Sequence, residues 1–359
     1  MTLLVFLIVL GILIIVHEWG HFIAARLLGI RVEKFSIGFG KKLVSRVSQG
    51  TEFIVAAIPL GGYVKLAGDE RAECTGSADE FFSHPVWHRA LVIVMGPLIN
   101  CVFAYLCFVF LFSVTGYPIL GNQIGDVMPD YPAAQAGLEP GDIVLEIDGQ
   151  VVTHWADIQT AVFNSEGQKL DFIVERSGQR LELDDLKPVY ETFDGAQGRQ
   201  SFPVVGIKPK LKKYGLLRSL REAGSELTSI MVLTAKTLYR VATGAESAQD
   251  KLAGPIRIFD VIRDATAMGF AYIVFIMAVI SANLAFFNLL PVPVLDGGHL
   301  FFLAFEAIRG RPLSEKVEEG FLKVGMSLLI CLALFVFYND IVQVGWAEKM
   351  THFFGRFFQ

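Results

Sequence analysis

The sequence predicts a polytopic α-helical membrane protein with about four transmembrane helices. A membrane-associated β-hairpin or sheet is expected on the cytoplasmic side, and an α+β domain on the opposite side. Three observations carry this expectation: long runs without charge, a lopsided distribution of basic residues, and one segment patterned like a soluble domain. The chain is 53% hydrophobic and 19% charged, against roughly 25% charged for an average soluble protein. With a net charge of -5 it is no general nucleic-acid binder.

The charge deficit is local. No Asp, Glu, Lys or Arg occurs in the 36 residues between Arg89 and Asp126 or the 31 between Asp264 and Asp296. The 17 residues before Glu18 and the 16 between Lys323 and Asp340 are likewise free of them. A bilayer core of about 30 Å takes roughly 20 apolar residues as helix. Four spans follow, near 2–25, 90–115, 267–290 and 324–345. Only Glu18 and Asp340 interrupt them, and Asp340, after Asn339, reads as the interfacial end of the fourth. The first span lacks a basic leader and runs into a His-Glu-His cluster, so it reads as a retained helix rather than a cleaved signal.

Basic residues set the expected orientation. Residues 1–16 carry no Lys or Arg, whereas residues 26–89 carry nine. The loop after the third span adds Arg309, Arg311, Lys316 and Lys323. Both loops are therefore expected in the cytoplasm, with the N-terminus and residues 116–266 outside. Four cysteines, Cys74, Cys101, Cys107 and Cys331, leave the outer segment without any, so no disulfide framework is expected. Four regions result: a first membrane half over 1–115, an outer domain over 116–210, an amphipathic helical linker over 211–264 and a second membrane half over 265–359.

The first span ends in His17-Glu18-Trp19-Gly20-His21, a His-Glu-x-x-His pattern. Histidines at i and i+4 share one helix face and can bind one zinc, and Glu18 faces the same side as a general base. Ionisable residues inside an apolar span cost on the order of 2.5–3.5 kcal/mol each, which argues for a chemical reason for their presence. A catalytic zinc takes three protein ligands. Pro291 and Pro293 cannot continue a regular helix, so the segment before Gly297-Gly298 is expected to present Asp296 on a loop near the same membrane side. A carboxylate offsets zinc charge better than an imidazole, which favours Asp296 over His299 as third ligand. His84 and His88 are also spaced i, i+4 but flank Pro85 and Trp87, and read as an interfacial belt.

Residues 42–47 and 51–57 favour strands around Ser48-Gln49-Gly50, and Gly61-Gly62-Tyr63-Val64 adds a third. An open strand edge at the membrane would supply hydrogen bonds to an unwound peptide. Asn283 and Asn288, in the uncharged third span, read either as helix–helix hydrogen bonds or as amides for a substrate backbone or oxyanion. Gly96, Pro97 and Asn100 let the second span approach the first closely. Residues 214–264 read as amphipathic helix broken at Gly254-Pro255 and lying along the outer membrane surface.

Together these motifs resemble the site-2 proteases, intramembrane zinc metalloproteases of the bacterial regulator-of-sigma-E protease type. The matching residues are His17-Glu18-x-x-His21, Asn288-x-x-Pro291 followed by Asp296-Gly297, and Pro85-x-Trp87 with Gly96-Pro97-x-x-Asn100. The run Ala134-x-Ala136-Gly137-Leu138-x-x-Gly141-Asp142, among strand-like segments and an Asp148-Gly149 turn, resembles the PDZ fold of bacterial proteases. The resemblance implies zinc held by His17, His21 and Asp296, with Glu18 as base. It also implies that Asn283, Asn288, Pro291 and Pro293 line the site and hold substrate. Implied substrates are transmembrane proteins, such as an anti-sigma factor or remnant signal peptides, cut in a bacterial inner membrane. A peptide ligand of the PDZ-like domain is a further implied partner, and membrane lipid surrounds the spans. One PDZ segment fits here, where the best-known Gram-negative member carries two in tandem. The competing expectation is a non-catalytic PDZ scaffold with a structural metal, and that needs a fourth protein ligand.

Overall fold

The computed structural model describes residues 2–118, 121–195, 198–251 and 254–343. Helix α1 (Thr2–Leu27) leads into β1 (Val32–Ser48) and β2 (Thr51–Leu66), and α2 (Val86–Phe110) continues into a π-helical turn at Leu111–Thr115. Next come β3 (Tyr117–Pro118), β4 (Ile124–Val127), α3 (Pro132–Gln135), β5 (Ile143–Ile147), β6 (Gln150–Val151) and α4 (Trp155–Asn164). They are followed by β7 (Leu170–Arg176), β8 (Gln179–Leu186), β9 (Val189–Gly195), β10 (Gly198–Val204), β11 (Ile207–Pro209) and β12 (Leu211–Lys212). The remaining helices are α5 (Leu216–Ala242), α6 (Ala248–Lys251), α7 (Pro255–Met268), α8 (Phe270–Asn288), α9 (Asp296–Arg309) and α10 (Glu315–Gln343).

Among the described residues two compact units emerge, one within residues 2–109 and 220–340, the other within 110–219 and 341–343. Four helical segments among the described residues are long and apolar enough to cross a membrane: Thr2–Leu27, Val86–Thr115, Phe270–Asn288 and Lys316–Val342. They match the four expected spans within a few residues, except that the fourth helix starts well before 324. The expected end at 345 lies outside the described residues. Leu328, Leu332, Phe335 and Tyr338 of α10 are all exposed, the pattern of a helix solvated by lipid rather than water.

Asp340 departs from expectation. It is fully buried, and its carboxylate accepts the backbone N–H of Gly254 (3.1 Å), Ile256 (3.0 Å) and Arg257 (3.3 Å). Those donors are the orphan amides at the start of α7, where a carboxylate also meets the positive helix end. The charge thus caps another helix instead of marking an interface. The linker is also broken more widely than expected: α5 stops at Ala242, and Pro255 opens α7 as its first residue.

Helix α1 packs against α7 and α8 through Val9, Leu13 and Ile262, with Phe103 of α2 and Ile276 and Ile280 of α8 around them. Its close approach to α2 depends on glycine. A Cβ on Gly20 would collide with the Met95 carbonyl, and one on Gly96 would collide with the His21 imidazole.

The predicted hairpin is present but longer. Gln49 (φ 47°) and Gly50 (φ 80°) both take positive φ, as a two-residue hairpin turn requires. Both strands bend, so that four segments pair edge to edge in the order 42–48, 51–58, 32–39 and 61–66. Phe35 shows the arrangement, pairing with Phe53 on one side and Val64 on the other. Residues 35–37, at the start of the stretch not expected as a strand, are therefore interior to the sheet. Segment 61–66 forms one edge and lies against α1, where Gly62 approaches Ile14 and Glu18.

The second unit holds a four-stranded sheet in the order β6-β5-β7-β8. Val144, Ile147, Phe172 and Val174 pack in one core with Ile158 and Val162 of α4, and a register shift between Val144 and Glu146 interrupts the alternation in β5. The Asp148–Gly149 turn joins β5 to β6. Asp142 is buried beside the Arg176 guanidinium, with two contacts of 2.8 Å.

Candidate metal centre

Helical spacing in α1 stacks His17 and His21 one turn apart, with Nε2 atoms 3.3 Å from each other. The third member comes from the other end of the chain. After α8 the backbone turns through Leu289–Leu295, and Val294 takes φ 88°, a strained conformation for a β-branched residue. Gly297 and Gly298 let this loop fold back on the first turn of α9, because a Cβ on either would strike the carbonyl of Leu290 or Val292. Asp296, the first residue of α9, then reaches the histidine pair. Its Oδ2 lies 3.2 Å from His17 Nε2 and its Oδ1 3.5 Å from His21 Nε2.

These separations fit a shared metal. Zinc bonds of about 2.0–2.2 Å place tetrahedral ligand atoms roughly 3.3–3.6 Å apart. Asp296 Oδ2 is buried yet has no hydrogen-bond donor, despite its closeness to His17. The ligand atoms of the three groups all lie within 4.8 Å of one another. Two nitrogens and one carboxylate oxygen form the donor set of a catalytic zinc, with one position open. Among the described residues this is the one group of three or more His, Cys, Asp or Glu side chains close enough to hold an ion. His299 is not part of it.

The remaining ring nitrogens are also engaged. His21 Nδ1 is 2.9 Å from the Val92 carbonyl, and His17 Nδ1 is 3.1 Å from the Asn100 amide. Asn100 is fully buried, and Ser281 donates to its backbone carbonyl at 2.9 Å.

A cavity of about 600 Å³ opens on the group. Glu18 lines it beside His17 and His21, together with Gly62, Tyr63 and Val64 of the edge segment, and with Asn288 and His299. The other expected substrate residues lie elsewhere. Asn283 Oδ1 accepts a hydrogen bond from Thr234 of α5 at 2.6 Å, a helix–helix tie. Pro293 packs on Gly325 of α10, and Pro291 is exposed on the loop. His84 and His88 face each other with Nδ1 atoms 3.1 Å apart, and the His88 ring lies against the exposed Trp87.

Sequence reasoning missed two polar contacts here, Asn100 on His17 and the Arg89–Glu306 pair, and of the two readings open for Asn283 the helix–helix hydrogen bond is the one formed, to Thr234. Arg89, at the start of α2, is buried and makes two contacts to the Glu306 carboxylate of α9, at 2.6 and 3.2 Å. No spacing signal could have revealed contacts between residues so far apart in the chain.

Apolar helices that carry a two-histidine, one-carboxylate site with a neighbouring glutamate define a membrane zinc peptidase. The comparisons agree, and the chain belongs to peptidase family M50, whose model matches residues 5–332. A Brucella suis protein that carries a zinc-metalloprotease name is 37% identical over 361 residues, covering 95% of each chain. Metalloprotease MmpA of Caulobacter vibrioides is 33% identical, covering 93% of this chain and 94% of its own length. The regulator of sigma-E protease RseP of Salmonella typhimurium is 32% identical over 446 aligned positions, covering 96% of this chain and 99% of its own. That alignment is longer than the 359 residues here, so RseP carries segments without a counterpart in this chain. The protein is thus an intramembrane zinc metalloprotease of the site-2 type.

Proposed function

We propose that the chain hydrolyses peptide bonds in unwound transmembrane segments of single-span proteins, in a bacterial inner membrane. Suitable substrates are anti-sigma-factor-like proteins already trimmed outside, or remnant signal peptides. The observation that carries this is the convergence of His17, His21, Asp296 and Glu18 on one cavity that an open strand edge also lines.

His17 Nε2, His21 Nε2 and an Asp296 oxygen would hold the zinc. When bound, zinc is a Lewis acid that makes water nucleophilic near neutral pH and polarises the carbonyl under attack. Glu18 takes the proton of the attacking water and returns it to the amine as the C–N bond breaks. A helical substrate hides its carbonyls in backbone hydrogen bonds, so it must unwind first. Segment 61–66 pairs with residues 32–37 on one side only among the described residues. Its other side is free to take an extended substrate as an added strand. Asn288, which also lines the cavity, supplies an amide to that backbone.

The N-terminus and the second unit lie outside the cytoplasm in this reading, with the hairpin and the loop before α10 inside, as the basic residues favour. The second unit is PDZ-like, and acts as a peptide-binding module or as a filter against bulky substrates.

The test compares wild type with Glu18→Gln, each zinc-loaded, on a model transmembrane peptide. Wild type should cleave and the variant should not. Equal cleavage by both, or none by zinc-loaded wild type, refutes the reading.

A further inference from the structure

Asn100 is a polar side chain with no exposure, inside the apolar helix α2. Burying an amide there costs free energy unless it is hydrogen-bonded. As placed, its nitrogen faces His17 Nδ1 at 3.1 Å while its buried Oδ1 has no partner. Which end of an amide is oxygen is an assignment made from its neighbours. The neighbours here point the other way. His17 Nε2 faces the metal point with His21 Nε2 and Asp296, so its lone pair must be free there and the ring proton must sit on Nδ1. A proton on Nδ1 needs an acceptor, and turning the amide over offers Oδ1 as that acceptor while giving the orphaned oxygen a donor. His21 follows the same rule, with its Nδ1 on the Val92 carbonyl.

We propose that Asn100 is a positioning residue for the metal site: its side-chain oxygen accepts the Nδ1 proton of His17 and thereby fixes the tautomer and ring orientation that present Nε2 to zinc. The proposal rests on the metal-site reading above. Asn100 touches no substrate atom. Its backbone is itself fixed, since α8 holds its carbonyl through Ser281. One residue thus ties α1, α2 and α8 at the level of the zinc ligand.

The experiment measures zinc affinity of the full chain in detergent by competition with a chelator, for wild type, Asn100→Asp and Asn100→Leu. Unfolding temperatures of the metal-free forms serve as the folding control. A carboxylate accepts a hydrogen bond but cannot donate one. Asn100→Asp should therefore bind zinc within about threefold of wild type or more tightly, while Asn100→Leu loses about 10- to 100-fold, the usual effect of removing a partner behind a metal ligand. If Asn100→Asp weakens zinc by more than tenfold, the amide donates to His17 and the proposal is overturned. It is also overturned if a folded Asn100→Leu binds as wild type does. Should the leucine variant not fold, the aspartate variant decides alone. Failure of wild type itself to bind zinc would instead sink the metal-site reading.

Discussion

Asp340 of α10 holds the backbone amide of Gly254 from 86 residues away, at 3.1 Å. The carboxylate also takes the amides of Ile256 and Arg257, so an otherwise lipid-facing helix anchors the start of α7. Asp340→Ala leaves three donors without an acceptor in a buried place. A lost helix cap costs about 1–2 kcal/mol, and buried unpaired donors about 1–3 kcal/mol each, so the first unit should unfold at a clearly lower temperature. Asp340→Asn retains one oxygen and should fall between. Thermal unfolding in detergent reads both, and an unchanged alanine variant would show the cap to be dispensable.

Gly96 places α2 against the histidine pair. An alanine methyl there would overlap the His21 imidazole and come within 3.0 Å of His17 Cε1. Gly96→Ala should lower zinc affinity by about tenfold or more. Gly11, with open space around its Cβ position, is the matched control, and Gly11→Ala should bind zinc normally. Chelator competition on both variants makes the comparison.

The third zinc ligand is tested by metal content. Asp296→Ala should retain far less than one zinc per chain after dialysis, because two histidines alone hold it weakly. His299→Ala should retain a full equivalent, since His299 lines the cavity outside the group of three. Elemental analysis of the dialysed proteins gives the answer, and the reverse pattern would exchange the two roles.

Acid should weaken the second unit through Asp142. Burial pushes this carboxyl up, but the Arg176 guanidinium and the Glu139 amide outweigh it and hold the carboxyl below its ordinary value. A group depressed in the folded state adds stability above its unfolded pKa, near 3.9, and loses it as pH falls through the lower folded value. Hydrogen-exchange protection in β5 and β7, relative to the intrinsic rate at each pH, should therefore fall below about pH 4. In Asp142→Asn that acid-dependent part should be absent, with faster exchange already at neutral pH. A pH response identical to wild type would assign the acid effect to other groups.

Features confined to one helix or one loop were legible in the sequence. His17, Glu18 and His21 lie within one turn and a half, and Pro291, Pro293 and Gly297-Gly298 announced an irregular stretch ahead of Asp296. The spans followed from absent charge, which needs no partner to interpret. What escaped were choices made by distant neighbours. Residues 35–40 look like a glycine-rich connector, yet 35–37 become interior strand because 51–58 and 61–66 flank them. Asn283 has the composition of a substrate amide, and only the position of α5 gives it to Thr234. The Arg89–Glu306 pair bridges 217 residues, and each member alone is an ordinary charge beside a span.

Asp296 lies 275 residues beyond His21 in the chain, with the whole of residues 110–219 synthesised between them. Chains are made from the N-terminus, and their early parts take up structure first. A ribosome-bound chain therefore carries Glu18 and both histidines through most of its synthesis as an incomplete pair. In the proposed reading the metal site gains its carboxylate only when α9 emerges and docks, so the site stays incomplete until then. Competence arrives late, as a consequence of the order of the genetic text.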